Sequence, residues 1–494
     1  MTERERVTLP NDGRCKEELL EEMQGMRAHD ARWQDGKTWS MIYHPGEEHH
    51  EFLKRAHNLF FSENALNPMA FKSLKRMETE VIDMTASLLH GDEHTAGTMT
   101  SGGTESILLA VKCYRDLARK KKPWILRPEI VAPQSIHVAF DKAAHAFGLR
   151  LKKVPLGPDY RVDVRRLHKA ISRNTIMIAA SAPQYAHGVL DPIEEIASIA
   201  EARSIPFHVD ACFGGFILPW LEKLGYPIAP FDFRIPGVTS ISSDIHKYGY
   251  APKGCSTILY RNMDYLKHQF FAVTDWPGGI YVSPTLPGSR PGSAIASAWA
   301  SLMALGETGF MQLAHDAIKT TEELRYGIEA IAEFEIVGSP ECTIVSYTTS
   351  PGIEDFSIYG IADFMETQGW GVDRQQLPPC IHCSVNAFNA NQVRPYLDDL
   401  RRAVAYCRSN PGTDDAGNAA MYGMMAKLPS RRFVKYSVLR VMELMYAPGK
   451  VDFDFEELTA DEGSVLSLLN TYGRKAINAL TEFSALEKLF RNKR

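Results

Sequence analysis

The chain has 494 residues, 45% hydrophobic and 23% charged, an ordinary globular composition able to bury one or two substantial cores. Its formal net charge of -5 gives no global basic field for nucleic acid or a membrane surface, so the expected partner is a small molecule. Eight scattered cysteines, a charged start without a signal-peptide core and the lack of any apolar run near the roughly 18 residues of a membrane span lead us to expect a soluble, cytoplasmic protein with reduced thiols.

Residues 1–75 mix polar positions with Trp33, Trp39, Tyr43, Phe60 and Phe61 and show no strand period, which suggests an arm with short helices. From Glu78, the positions Val81, Ile82, Thr85, Leu88 and Leu89 share one helical face, and that helix should stop near Gly91. A small-residue turn over 98–104 opens a second helix, through Ile107, Leu108, Val111 and Tyr114 to the basic stop at Arg119–Lys122. Short apolar runs at 129–132, 149–154, 175–180, 206–209, 239–242 and 257–260 then alternate with helical patterns. This alternation predicts an α/β domain over 76–331 with a mainly parallel sheet, whose ligands belong at the carboxyl ends of the strands. A long helix from about Ser293 to Ile331 leads to a smaller α+β domain over 332–425, and 426–494 reads as a helical extension.

Lys247 follows a predicted strand and lies in Ser243-Asp244-Ile245-His246-Lys247-Tyr248-Gly249-Tyr250. A lysine in a partly dry pocket can lose its proton and attack an aldehyde, whereas a lysine taken alone is usually a surface residue. Asp210 closes the run Pro206-Phe207-His208-Val209, where a carboxylate could keep a pyridinium nitrogen protonated or simply cap a turn. Gly102, Gly103 and Thr104 open a helix whose backbone N–H groups suit a phosphate, although glycine-rich helix starts are often only tight turns. His137 follows another predicted strand and could lie flat on a cofactor ring, against the commoner structural histidine. The donors between Tyr43 and His50 lack a zinc signature and read as a solvated helix start, so no metal is expected. Cys380 and Cys383 have no second pair and read as buried thiols in a strand.

Five motifs in order resemble the sphingosine-1-phosphate lyases: Thr100 to Ser106, Ser135 to Ala143, His208 to Phe216, Asp244 to Gly254 and Gly288 to Gly292, within a likeness covering roughly residues 35–425. That family has the fold-type I, aspartate aminotransferase-like architecture of the group II decarboxylases. The resemblance implies pyridoxal 5'-phosphate held as a Schiff base on Lys247, with Asp210 on the pyridine nitrogen and His137 on the ring. It implies that Gly103 and Thr104 hold the cofactor phosphate, together with Ser289 of the partner subunit in an obligate homodimer with shared active sites; Gly102 and His246 complete the expected contacts. Lys253, six residues after Lys247, and Tyr43 would bind a substrate phosphate. Asn67 stands where some members carry histidine, and it keeps hydrogen-bonding ability without charge. The expected reaction is retro-aldol cleavage of a phosphorylated long-chain base to a fatty aldehyde and phosphoethanolamine, with Lys247 or Tyr248 as proton donor. The lack of the eukaryotic membrane anchor suggests a soluble, bacterial-type form. An amino-acid decarboxylase and a non-catalytic scaffold of the same fold are the competing readings.

Overall fold

In a computed structural model that describes residues 7–411, 419, 423 and 431–448, the apolar runs lie where two-sided burial demands them. The larger sheet contains β1 (Ala96–Thr100), β2 (Glu129–Pro133), β3 (Arg150–Val154), β4 (Thr175–Ser181), β5 (Phe207–Asp210), β6 (Ser240–Ser243) and β7 (Ser256–Tyr260), in the order β1-β7-β6-β5-β4-β2-β3. Strands β6, β5, β4, β2 and β3 pair in parallel, while β7 runs antiparallel to both β1 and β6. Every residue of β4 is buried, as expected for a central strand covered on both faces. Neighbouring residues feed opposite cores: Val131, Ile178 and Leu259 enter one apolar cluster, and Ile130, Ala179 and Ile258 the other.

All six runs expected as strands form strands. β1 was read as part of a turn, because Ala96-Gly97-Thr98 lacks apolar alternation. The reason for the small residue is tertiary: a Cβ on Gly97 would lie 2.3 Å from the Ile258 carbonyl oxygen of the paired strand. The helix predicted from Glu78 begins earlier, as Lys72–Leu88. The long helix is observed over Gly292–Glu329, interrupted at Gly306 with φ 58° and ψ -177°. Sequence periodicity also missed an exposed hairpin of β8 (Phe271–Trp276) and β9 (Gly279–Ser283). A second sheet of β10 (Phe334–Ile336), β11 (Ile344–Thr349), β12 (Asp373–Gln376) and β13 (Pro379–Ser384) has the order β10-β11-β13-β12, and Cys380 and Cys383 are buried in β13 as expected.

The chain divides differently from the expected boundaries. One compact unit takes Asp35–Tyr347 and His382–Leu397; the other takes the described residues before Asp35, Thr348–Ile381 and those from Asp398 on. Much of the expected arm therefore belongs to the larger unit, because the helix Glu47–Leu59 packs on the helix Gly292–Glu329. Of the extension from 426, the helix Arg431–Met445 is described, and the segment beyond 448 lies outside the described residues. No helix among the described residues is long and apolar enough to cross a membrane.

One ion pair ties three segments of the larger unit. Arg290 donates to both oxygens of Glu78 at 2.6 and 3.0 Å, and Glu78 also accepts the Met99 N–H of β1 at 3.2 Å. Removing one partner leaves the other charge buried and uncompensated, so Glu78→Ala should lower stability by about 3–5 kcal/mol in equilibrium chemical denaturation. A change under about 1 kcal/mol, the range of exposed pairs, would show that water reaches the arginine.

Candidate active site

Three chain segments meet at the carboxyl edge of the sheet because β1, β5 and β6 point the same way. β1 ends at Thr100 and leads into the helix Gly103–Lys121; β5 ends at Asp210; β6 ends at Ser243 and leads into the Lys247 turn. That turn is closed by the Lys247 N–H on the Asp244 carbonyl at 3.3 Å and the Tyr250 N–H on the Lys247 carbonyl at 2.9 Å. Tyr250 has φ 55°, a left-handed conformation unusual for an aromatic residue and a sign of local strain beside the lysine.

The Lys247 Nζ lies 3.0 Å from Asp244 Oδ2, with His246 Nε2 at 3.6 Å from the same oxygen. Burial pushes the lysine down, as the sequence reading expected, but the Asp244 charge outweighs it and the net shift is upward. A partly dry pocket therefore does not suffice to take the proton from Lys247 while the Asp244 charge stands beside it. Asp244 itself is pushed up by burial, yet the Lys247 and His246 charges leave it below its ordinary value. Asp210, 6% exposed, accepts the Cys212 N–H at 3.1 Å and the Ser242 hydroxyl at 3.2 Å through Oδ1. Tyr43 stands edge-on to Tyr248 at 4.9 Å, and the Lys253 Nζ lies 5.1 Å from the Tyr43 ring centre. Lys253 keeps solvent access along its side chain, yet crowding around its ammonium and the Lys247 charge push it down to about 8.

The helix start is built to be bare. A Cβ on Gly103 would lie 2.7 Å from Cys212 Sγ and 2.9 Å from Asp244 Oδ2. Backbone N–H groups at the positive end of a 19-residue helix are thereby brought beside the Lys247 turn.

Residues 53–350 match the pyridoxal-dependent decarboxylase conserved domain. The chain is 45% identical over 438 residues to the sphingosine-1-phosphate lyase of Arabidopsis thaliana, covering 87% of this chain and 79% of that one. It is 44% identical over 430 residues to sphingosine-1-phosphate lyase 1 of Rattus norvegicus, covering 86% and 75%. The solved sphingosine-1-phosphate lyase of Burkholderia pseudomallei superposes with a TM-score of 0.80 at 36% identity, over 89% of this chain and 97% of that one. The chain belongs to the sphingosine-1-phosphate lyase family. Its fold is the fold-type I architecture of pyridoxal-phosphate enzymes, shared in outline with a Lactobacillus brevis glutamate decarboxylase at 20% identity and a TM-score of 0.72.

The residues present suit the family's cofactor. Besides the amine of Lys247 and the carboxylate of Asp210, Ser243 Oγ, Asp244 Oδ1 and His246 Nδ1 are buried without a hydrogen-bond partner among the described residues, an arrangement that calls for a polar ligand. Thr104 and His137 are exposed near the ends of β1 and β2, and the His137 Nδ1 accepts the Ala139 N–H at 3.2 Å. Ser289 is also exposed and accepts from Asn64 Nδ2 at 3.0 Å. Asn67 receives the Met69 and Ala70 N–H groups on Oδ1 at 3.0 and 3.3 Å.

Two expectations change. The Tyr248 hydroxyl donates to the Val385 carbonyl at 2.7 Å and accepts from Thr343 at 2.6 Å, and burial pushes its pKa well up. These two hydrogen bonds anchor the turn and commit the hydroxyl proton to Val385. The supposed solvated helix start contains His44, only 6% exposed, gathered with Glu47 and His50. The Gly46 N–H donates to His44 Nδ1 at 3.1 Å, so the His44 proton sits on Nε2 and points to His50 Nδ1 at 3.1 Å.

Sequence reading also passed over Asp244 and Glu105. Glu105 accepts from the Ser101 N–H and hydroxyl, both at 2.7 Å, and from the Leu286 N–H at 3.1 Å. The signal for Asp244 was its place three residues before the lysine. Gly103→Ala should weaken pyridoxal phosphate binding at least about tenfold in an absorbance titration while keeping the native circular dichroism. An unchanged affinity would show that the cofactor phosphate binds elsewhere.

Proposed function

We propose that the protein cleaves sphingosine-1-phosphate, or a related phosphorylated long-chain base, between C2 and C3 to give a fatty aldehyde and phosphoethanolamine. The observation that carries this reading is the Lys253 ammonium packed on Tyr43, six residues after Lys247, which provides a cation and a hydroxyl for a phosphate rather than for an amino-acid carboxylate. Pyridoxal phosphate carried on Lys247 supplies an electron sink for the bond that breaks.

The chain's own residues do the rest. Asp210 holds the proton on the pyridine nitrogen, and the N–H groups at Gly103 and Thr104, with Gly102 leaving room, hold the cofactor phosphate. His137 covers the ring. Lys253 and Tyr43 hold the substrate phosphate, with Asn67 as a neutral donor. Lys247, with its amine 3.0 Å from Asp244, would return a proton to C2. Two copies share their sites, each supplying Ser289 to the other. The exposed apolar hairpin just before Ser289, with Phe271, Trp276, Ile280 and Val282 between 51 and 76% exposed, supports that pairing. Eight free cysteines, seven of them buried, agree with a reducing, cytoplasmic compartment.

Aldehyde release from sphingosine-1-phosphate, measured beside carbon dioxide release from amino acids, tests the reading. Amino-acid turnover with no aldehyde would make the protein a decarboxylase. Lys253→Ala should raise KM for the phosphorylated base about tenfold or more and leave the cofactor spectrum intact.

A pH series checks the same residue. Its ammonium is present below about 8 and lost above it, so KM should climb with pH beyond that point, by at most about tenfold per unit. Lys253→Arg should flatten the climb, and a wild-type KM constant from pH 7 to about 9.5 would exclude Lys253 from phosphate binding.

A further inference from the structure

The opposite edge of the sheet carries a feature that the reaction does not use. The helix Gly103–Lys121 starts at the carboxyl end of β1 and ends beside the amino end of β2, where the segment 119–127 turns. Arg119, Lys120, Lys121, Lys122 and Arg127 place five cations in nine residues of a chain whose net charge is -5. The flanking acids are already paired: Asp116 with Lys112 and Arg115, at 3.1 and 2.8 Å, and Glu129 with Lys152 at 2.6 Å. Arg119 has only a loose contact with Asp116 at 3.7 Å, and the other four cations form no ion pair among the described residues.

Between these cations two large apolar side chains are turned outward. Trp124 is 72% exposed and Leu126 87% exposed. The turn is ordered, with the Lys122 N–H on the Ala118 carbonyl at 2.7 Å and the Ile125 N–H on the Lys122 carbonyl at 3.0 Å. Ile125 packs against the core and so fixes its two neighbours in the outward direction. An isolated exposed apolar residue needs no explanation, but a tryptophan and a leucine projecting together from a cation-rich turn do.

We propose that the turn 119–127 docks the protein on anionic lipid surfaces, with Trp124 and Leu126 entering the headgroup boundary and the surrounding cations facing acidic headgroups. Tryptophan prefers that boundary, and each lysine or arginine near an anionic leaflet adds to the attraction. The side chains protrude instead of lining a groove, and a nine-residue turn is small beside the roughly 800 Å² per partner of a stable protein interface. Docking at the amino edge leaves the carboxyl edge, with Lys247, open. The inference is independent of the reaction proposed above.

The test uses the full-length, cofactor-loaded protein, sedimented with phosphatidylcholine vesicles with and without about 30% phosphatidylserine at near-physiological salt. Retention is expected only on the anionic vesicles. The triple variant Lys120→Glu, Lys121→Glu, Lys122→Glu should reduce binding about a hundredfold, and the double variant Trp124→Ala, Leu126→Ala about tenfold. Both should keep the wild-type unfolding temperature and cofactor absorbance. Absence of retention, equal retention on neutral vesicles, or variants that bind like the wild type would each overturn the proposal. An acidic protein or a nucleic acid as the true occupant would appear as the first of these outcomes.

Discussion

The site depends on one buried carboxylate. Asp244 is 3% exposed and holds the Lys247 ammonium at 3.0 Å, with His246 close to the same oxygen. A lone charge in that position would be strongly unfavourable, and so would the lysine without it; together they are stable because each supplies what burial removes. Asp244 also stands against Gly103, so the helix start can approach only because position 103 has no side chain. Lysine, carboxylate and helix terminus are thus mutually constrained within one small region.

Around this centre the hydroxyls act mainly as fasteners. Tyr248, which lies next to the reactive lysine in sequence, is tied to Val385 and Thr343. Ser301 donates to the Gly249 carbonyl at 2.7 Å and meets His49 at 3.2 Å, linking the helix Glu47–Leu59 to the lysine turn. Tyr250 combines a left-handed backbone with a buried hydroxyl that has no hydrogen-bond partner among the described residues. Such strain persists only where surrounding contacts over-determine the conformation, as they do here.

Net charge and local charge lead to different conclusions. A total of -5 excludes a global basic field, yet it coexists with five cations in the segment 119–127. Screening at physiological ionic strength limits electrostatic reach to about 8 Å, so a surface partner responds to the local cluster and not to the sum.

The sequence by itself determined the sheet strands from 129 to 260, the helix after Gly103, the place of Lys247 in the turn after β6 and that of Asp210 at the end of β5. Apolar periodicity and strand-end position are local properties, and residue order carries them directly. It did not determine β1, whose small residues are explained only by the approach of Ile258, nor the exposed hairpin, which has no buried face to generate alternation. Only the tertiary structure decided that Asp244 raises Lys247 against the pull of burial, that the Tyr248 hydroxyl is engaged elsewhere, and that His44 is buried. Each of these depends on distances between atoms of separate segments or on water exclusion, and neither quantity is written in the order of residues.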